Sequence, residues 1–156
     1  MPDYITREGM HKLHKRMHVL IEERKEVIKQ VVTAREMGDL SENAEYKAAR
    51  EKQRNIEKEY NHIKYRITRL HVIDISKIPK DAVRFGAYVT IKDISDNKIF
   101  KQFLVGIDEI YETENEYERI SIASPIGKSM IGKKVGENFI VKAPRGKREF
   151  VILDIK

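Results

Sequence analysis

The chain has 156 residues, with 31 Lys and Arg against 25 Asp and Glu and a formal charge of +6. That length suits one domain or two small ones, and the lack of cysteine excludes disulfide scaffolds, thiolate metal sites and cysteine nucleophiles. The charged fraction of 36%, against a usual value of about 25%, points to long solvated surfaces, while 40% hydrophobic residues are too many for general disorder. No apolar run approaches the roughly 20 residues of a membrane span, and the N-terminus, with Asp3, Arg7 and Glu8, lacks a signal-peptide core. The expectation is a cytoplasmic protein with no membrane partner.

Thr6 to Met37 contains no proline, and its one glycine, Gly9, falls in the opening turn. Met10, Leu13, Met17, Leu20, Val27, Val31 and Ala34 alternate in steps of three and four, with Arg24 on the same seam. This 3.5-residue period predicts a coiled-coil helix about 48 Å long, with Thr6 as its N-cap. The pattern breaks at Gly38-Asp39-Leu40-Ser41-Glu42-Asn43, and Gly38 suits a left-handed C′ position. Tyr46, Ala49, Gln53, Ile56, Tyr60, Ile63, Ile67 and Leu70 then repeat the period. Two such helices joined by a short turn fold back antiparallel, burying each other's seam.

Past Leu70 the composition changes. Val72 to Pro79 reads as a link. Alternating or apolar runs follow at 87–91, 98–105, 119–122, 138–141 and 150–155, separated by turn residues. Ser124-Pro125-Ile126 opens a short helix, with Ser as N-cap and Pro at the first position. The predicted class is α+β: an antiparallel coiled-coil hairpin over residues 1–76 and a small, mostly antiparallel β domain over residues 77–156. The acid-rich segment 107–118, with six carboxylates and no base, reads as a solvated strand pair and turn.

Charge is segregated within the hairpin. Residues 36–45 hold Glu36, Asp39, Glu42 and Glu45 and no base, a net −4. Residues 46–70 hold eight Lys and Arg against three Glu, a net +5. Lys47, Arg50, Arg54 and Lys58 share one exposed stripe. Two readings of the acidic turn stand side by side. Asp39 as N-cap with Glu42 three residues on has capping-box spacing. Alternatively, the carboxylates serve a partner. Mg²⁺ takes six oxygens and is commonly held by one or two carboxylates plus waters and phosphates. A tip carrying two carboxylates binds it weakly alone, but inside a pocket with a metal and a nucleic-acid backbone it completes a second metal site for phosphodiester cleavage. The basic stripe would bind the phosphates of the strand.

The segment Gly38-Asp39-Leu40-Ser41-Glu42-Asn43-Ala44-Glu45-Tyr46 resembles the tip motif of the GreA/GreB bacterial transcript-cleavage factors. Ile5-Thr6-x-x-Gly9, Ala48-Ala49-Arg50-Glu51, Phe85-Gly86-Ala87-x-Val89, Ser124-Pro125-Ile126 and Ile131-Gly132 follow in the family's order. The KAPRG-type turn and the SPIGKSMIG segment look closer to the A branch; Ser41 is more B-like. The resemblance implies an FKBP-like C-terminal β domain that docks at the rim of the RNA polymerase secondary channel, and a coiled coil that reaches down it. There the tip promotes cleavage of the backtracked RNA 3′ end by the polymerase's own active site, so the factor is not itself an enzyme. By the same resemblance Asp39 and Glu42 help hold a Mg²⁺ shared with the polymerase and not tightly bound by the free, monomeric factor. Arg50 contacts RNA, with Lys47, Arg54 and Lys58 as its extension by helical geometry. Ser124 and Pro125 fall in the polymerase-docking loop, where Ala123 departs from the acidic residue of the B branch.

His14 and His18 stand at helical metal-pair spacing but lack an acidic third ligand within a turn, so they read as coil-surface residues. Tyr46 and Tyr60 read as seam residues. Two rival functions remain: a Gre-type inhibitor using the same channel, and a coiled-coil adaptor without catalytic role.

Overall fold

A computed structural model describes residues 3–38, 43–113 and 115–156. The chain divides into two compact units, Met10–Leu70, and Met1–Gly9 with His71–Lys156.

The first unit is a helical hairpin built from α1 (Arg7–Arg35), apart from its opening turn, and α2 (Ala44–Arg69). Leu20, Val27 and Val31 of α1 bury against Ala49, Ile56 and Ile63 of α2, with Leu13, Met17, Tyr46, Tyr60 and Ile67 partly buried around them. The predicted seam is therefore the observed core. Arg24, on the same seam, is exposed; a long charged side chain can cover apolar surface while its head stays wet. Across the seam Arg16 grips Glu59 with both Nε and Nη2, the latter at 2.8 Å, an exposed pair that adds little to stability.

In the second unit β1 (Asp3–Thr6) pairs with β2 (Leu70–Ile73). Neither strand is apparent in the sequence, where Thr6 already reads as a helix cap and residues 72–79 as a link. The main sheet contains β3 (Tyr88–Asp93), β4 (Ile99–Val105), β5 (Glu118–Ser121), β6 (Asn138–Ala143) and β7 (Gly146–Ile155), in the order β5-β4-β3-β7-β6. All pairings are antiparallel except β4 with β5. Alternate residues of β3, Val89 and Ile91, enter a core with Leu104, Met130, Phe139, Phe150 and Ile152. Asp93 takes the next inward position and stays satisfied there. It accepts from Ser95 N–H at 2.9 Å and from Arg148 Nη2 at 2.6 Å.

The acidic segment departs from expectation. Residues 107–109 form a 3-10 turn, and Glu109 is fully buried. Its carboxylate accepts from the Thr6 N–H at 3.0 Å and pairs with the Thr6 hydroxyl. That hydroxyl caps α1 by accepting from Gly9 N–H at 3.0 Å. Gly9 is glycine because a Cβ there would stand 2.7 Å from Glu109 Cγ. The Arg119 guanidinium lies 3.9 Å from Glu109 and 3.6 Å from Glu8, stacked over the Tyr111 ring. Burial pushes the Glu109 carboxyl above its ordinary value, against the opposing pull of Thr6 and Arg119. The Ile5-Thr6-x-x-Gly9 motif is thus one device: a buried Ile5, a cap, and room for a buried carboxylate.

At the other end of the sheet, Lys142 and Lys147 stand directly opposite each other on β6 and β7. Like charges in that position repel. Lys147→Glu should raise the unfolding free energy by about 0.2–1 kcal/mol in urea titrations at low salt.

Candidate functional site

The turn of the hairpin starts where α1 ends at Arg35. Glu36 N–H still bonds to Val32 O and Met37 N–H to Ala34 O, which winds down the helix. Gly38 follows at φ +127°, a conformation that favours glycine. Asp39 and Glu42 lie outside the described residues. The chain resumes at Asn43, which is the N-cap of α2: its Oδ1 accepts from Tyr46 N–H at 3.0 Å.

This corrects the capping-box reading. The helix begins at Ala44, too late for Asp39 to cap it or for Glu42 to be its third residue. Asn43 also donates through Nδ2 to Ala34 O at 2.7 Å, joining the start of α2 to the end of α1. Asn and Asp are comparable N-caps, so local preference alone does not separate Asn43 from Asp39. The signal available was the distance to the first apolar seam residue, Tyr46, which stands three positions after Asn43 and seven after Asp39.

Along α2, Lys47, Arg54 and Lys58 are exposed and Arg50 is half-buried. Arg50 Nη1 donates to Gln53 Oε1 at 2.7 Å, and Arg54 is tied to Glu51 at 2.6 Å. Lys47 and Lys58 make no ion pair among the described residues. The stripe therefore has a middle and two ends that are held differently: Arg50 and Arg54 are aimed by neighbours, and Lys47 and Lys58 flank them on flexible four-carbon stems.

In the second unit Ser124 caps α3 (Pro125–Met130). Its hydroxyl accepts from Gly127 N–H at 3.1 Å and donates to Ser121 O at 2.6 Å. Ser124 is thus occupied in holding its own loop, and Pro125 presents an exposed ring. Of this predicted pair, Pro125 is the more exposed and Ser124 is half-buried. Among the described residues no group of three His, Asp or Glu side chains is placed to hold a metal. No described helix is long and apolar enough to cross a membrane.

Comparison with known proteins gives these placements a context. The family description "Transcription elongation factor, N-terminal" fits residues 3–72, and "Transcription elongation factor, GreA/GreB, C-term" fits residues 78–156. The chain belongs to the GreA/GreB family. It is 41% identical to the transcription elongation factor GreA of Rickettsia canadensis, over 97% of this chain and 93% of the relative. It is 44% identical to GreA of Thermodesulfovibrio yellowstonii, over 97% and 94%. Among solved structures, GreA factor homolog 1 of Thermus thermophilus covers 100% of this chain and 99% of its own, at 22% identity and a TM-score of 0.46. The division between the two GreA/GreB family descriptions falls at 73–77, whereas the compact helical unit closes at Leu70 and Met1–Gly9 joins the β unit.

Proposed function

We propose that this chain is a transcript-cleavage factor that enters the secondary channel of RNA polymerase and stimulates the polymerase's own hydrolysis of backtracked RNA. The observation that carries this reading is the tip. Asn43 caps α2, so the capping box that would have explained Asp39 and Glu42 as stabilisers is gone. Three carboxylates, Glu36, Asp39 and Glu42, and no base stand between the two helices, with Glu45 in the first turn of α2; like charges gathered there repel, a cost that a metal-binding role at the tip would offset.

Asp39 and Glu42 are hard oxygen donors that suit Mg²⁺, and two of them leave positions for water, phosphate and polymerase ligands. When bound, Mg²⁺ would lower the pKa of a bound water and neutralise charge building on the phosphate. The chain's own contribution is positional and electrostatic. Asp39 and Glu42 supply negative charge at the tip, Arg50 and Arg54 present oriented guanidinium groups to RNA phosphates, and Lys47 and Lys58 add unspecific attraction. Pro125 would meet the polymerase rim, with Ser124 holding the loop in shape. The phosphodiester chemistry belongs to the polymerase, and the factor acts as a monomer.

The test is a backtracked elongation complex supplied with Mg²⁺ and the protein. Shortened RNA that nucleotides can still extend is the expected result. Blocked extension without cleavage would identify an inhibitor instead, and binding without either effect an adaptor.

A further inference from the structure

We infer that Asn43 is a positioning residue for transcript cleavage, acting through its bond to Ala34 and not only through its cap. This rests on the functional reading above. The side chain makes two bonds in opposite directions. Oδ1 accepts from Tyr46 N–H at 3.0 Å within α2, while Nδ2 donates at 2.7 Å to the carbonyl of Ala34 on α1. The two partners fix the orientation of the amide, because a backbone N–H must face its oxygen and a carbonyl its nitrogen. Ala34 O already accepts from Met37 N–H at 3.1 Å, so Asn43 uses the second lone pair of a carbonyl near the helix end, where such groups lack intrahelical partners.

The consequence is geometric. Asp39 and Glu42 lie between Ala34 and Asn43 in the chain, and this bond joins the two residues that bound that segment. Ala34 is itself buried near the end of α1, so the anchor point is a packed residue of that helix. A segment whose ends are joined at a rigid point has fewer conformations than one hung on two independent helix ends. Small misplacements of groups that must meet a metal and a phosphate cost rate steeply, about 10²-fold for 1 Å.

Capping and joining separate chemically. Asn43→Asp and Asn43→Ser both keep an oxygen to cap Tyr46 N–H, as Asp and Ser are good N-caps. Neither has a side-chain N–H for Ala34 O at neutral pH. Both variants should fold with wild-type helicity, bind polymerase with unchanged half-saturation, and show a maximal cleavage rate lowered about tenfold or more. The serine variant controls for the added charge of the aspartate. Wild-type maximal rates in both variants would overturn the proposal, as would a raised half-saturation with the maximal rate intact, which would make Asn43 a binding residue. If the wild-type protein itself cleaves nothing, the functional reading falls first and this inference with it.

Discussion

Asp39→Asn or Glu42→Gln, introduced singly, should lower cleavage of backtracked RNA by about 10²-fold at saturating protein while leaving polymerase binding nearly unchanged. Each amide keeps the size of the side chain and removes its negative charge, so a role in shape would survive and a role in metal binding would not. Binding should persist because the basic stripe and the exposed Pro125 ring are untouched. The double variant should fall little further than either single one, since groups that complete one site act as a unit. Raising Mg²⁺ should recover part of the lost rate in the single variants. Full activity in both would remove the tip from the mechanism, and equal loss of binding would make it a docking element.

The second large effect concerns Glu109. Its folded-state pKa lies above the ordinary 4.5 because burial disfavours the charged form. The folded chain therefore holds this proton more tightly than the unfolded chain. The stabilisation is complete below about 4.5 and is lost as the pH rises through the folded value. Glu109→Gln keeps an oxygen for Thr6 N–H and cannot ionise. Across a urea-unfolding series from acid to neutral pH, the wild type should lose stability relative to this variant. A constant difference would show that Glu109 titrates alike in both states. Glu109→Ala should be destabilising by about 1–3 kcal/mol, because the Thr6 amide is left buried without a partner. Gly9→Ala, which would favour an open helix by about 1 kcal/mol, should destabilise here by crowding the carboxylate, and much of that loss should disappear when Glu109 is also replaced by Ala.

The sequence was most readable where a pattern repeats over many residues. The three-four spacing from Leu13 to Ile67 predicted the hairpin core, because one register error would move every apolar residue off the seam. The main strands were legible to within a few residues, and Ser124-Pro125 announced a cap and a first helical turn. The tip motif pointed to the family from its spelling alone. Short or mixed signals failed. β1 and β2 are four residues each, too brief for alternation to stand out beside a long helical period. Glu109 sat among five other carboxylates, and nothing in composition distinguishes the one that turns inward. Asn43 was overshadowed by Asp39, an equally competent cap nearer the glycine; the observed choice depends on where α2 starts.

The bond between Thr6 and Glu109 spans 103 residues, which bears on the order of synthesis. The hairpin's two helices are neighbours in sequence and can close as soon as both leave the ribosome. The strand ahead of them emerges first, meets its strand partner β2 only once the hairpin has been made, and waits longer still for Glu109. Non-local pairing of this kind slows folding. It also sets the limits of a usable fragment: residues 78–156 expressed alone would carry Glu109 without Thr6, leaving a carboxylate shaped for burial facing solvent. An independent β unit has to bring Asp3–Gly9 with it, through a circular permutation or an added peptide.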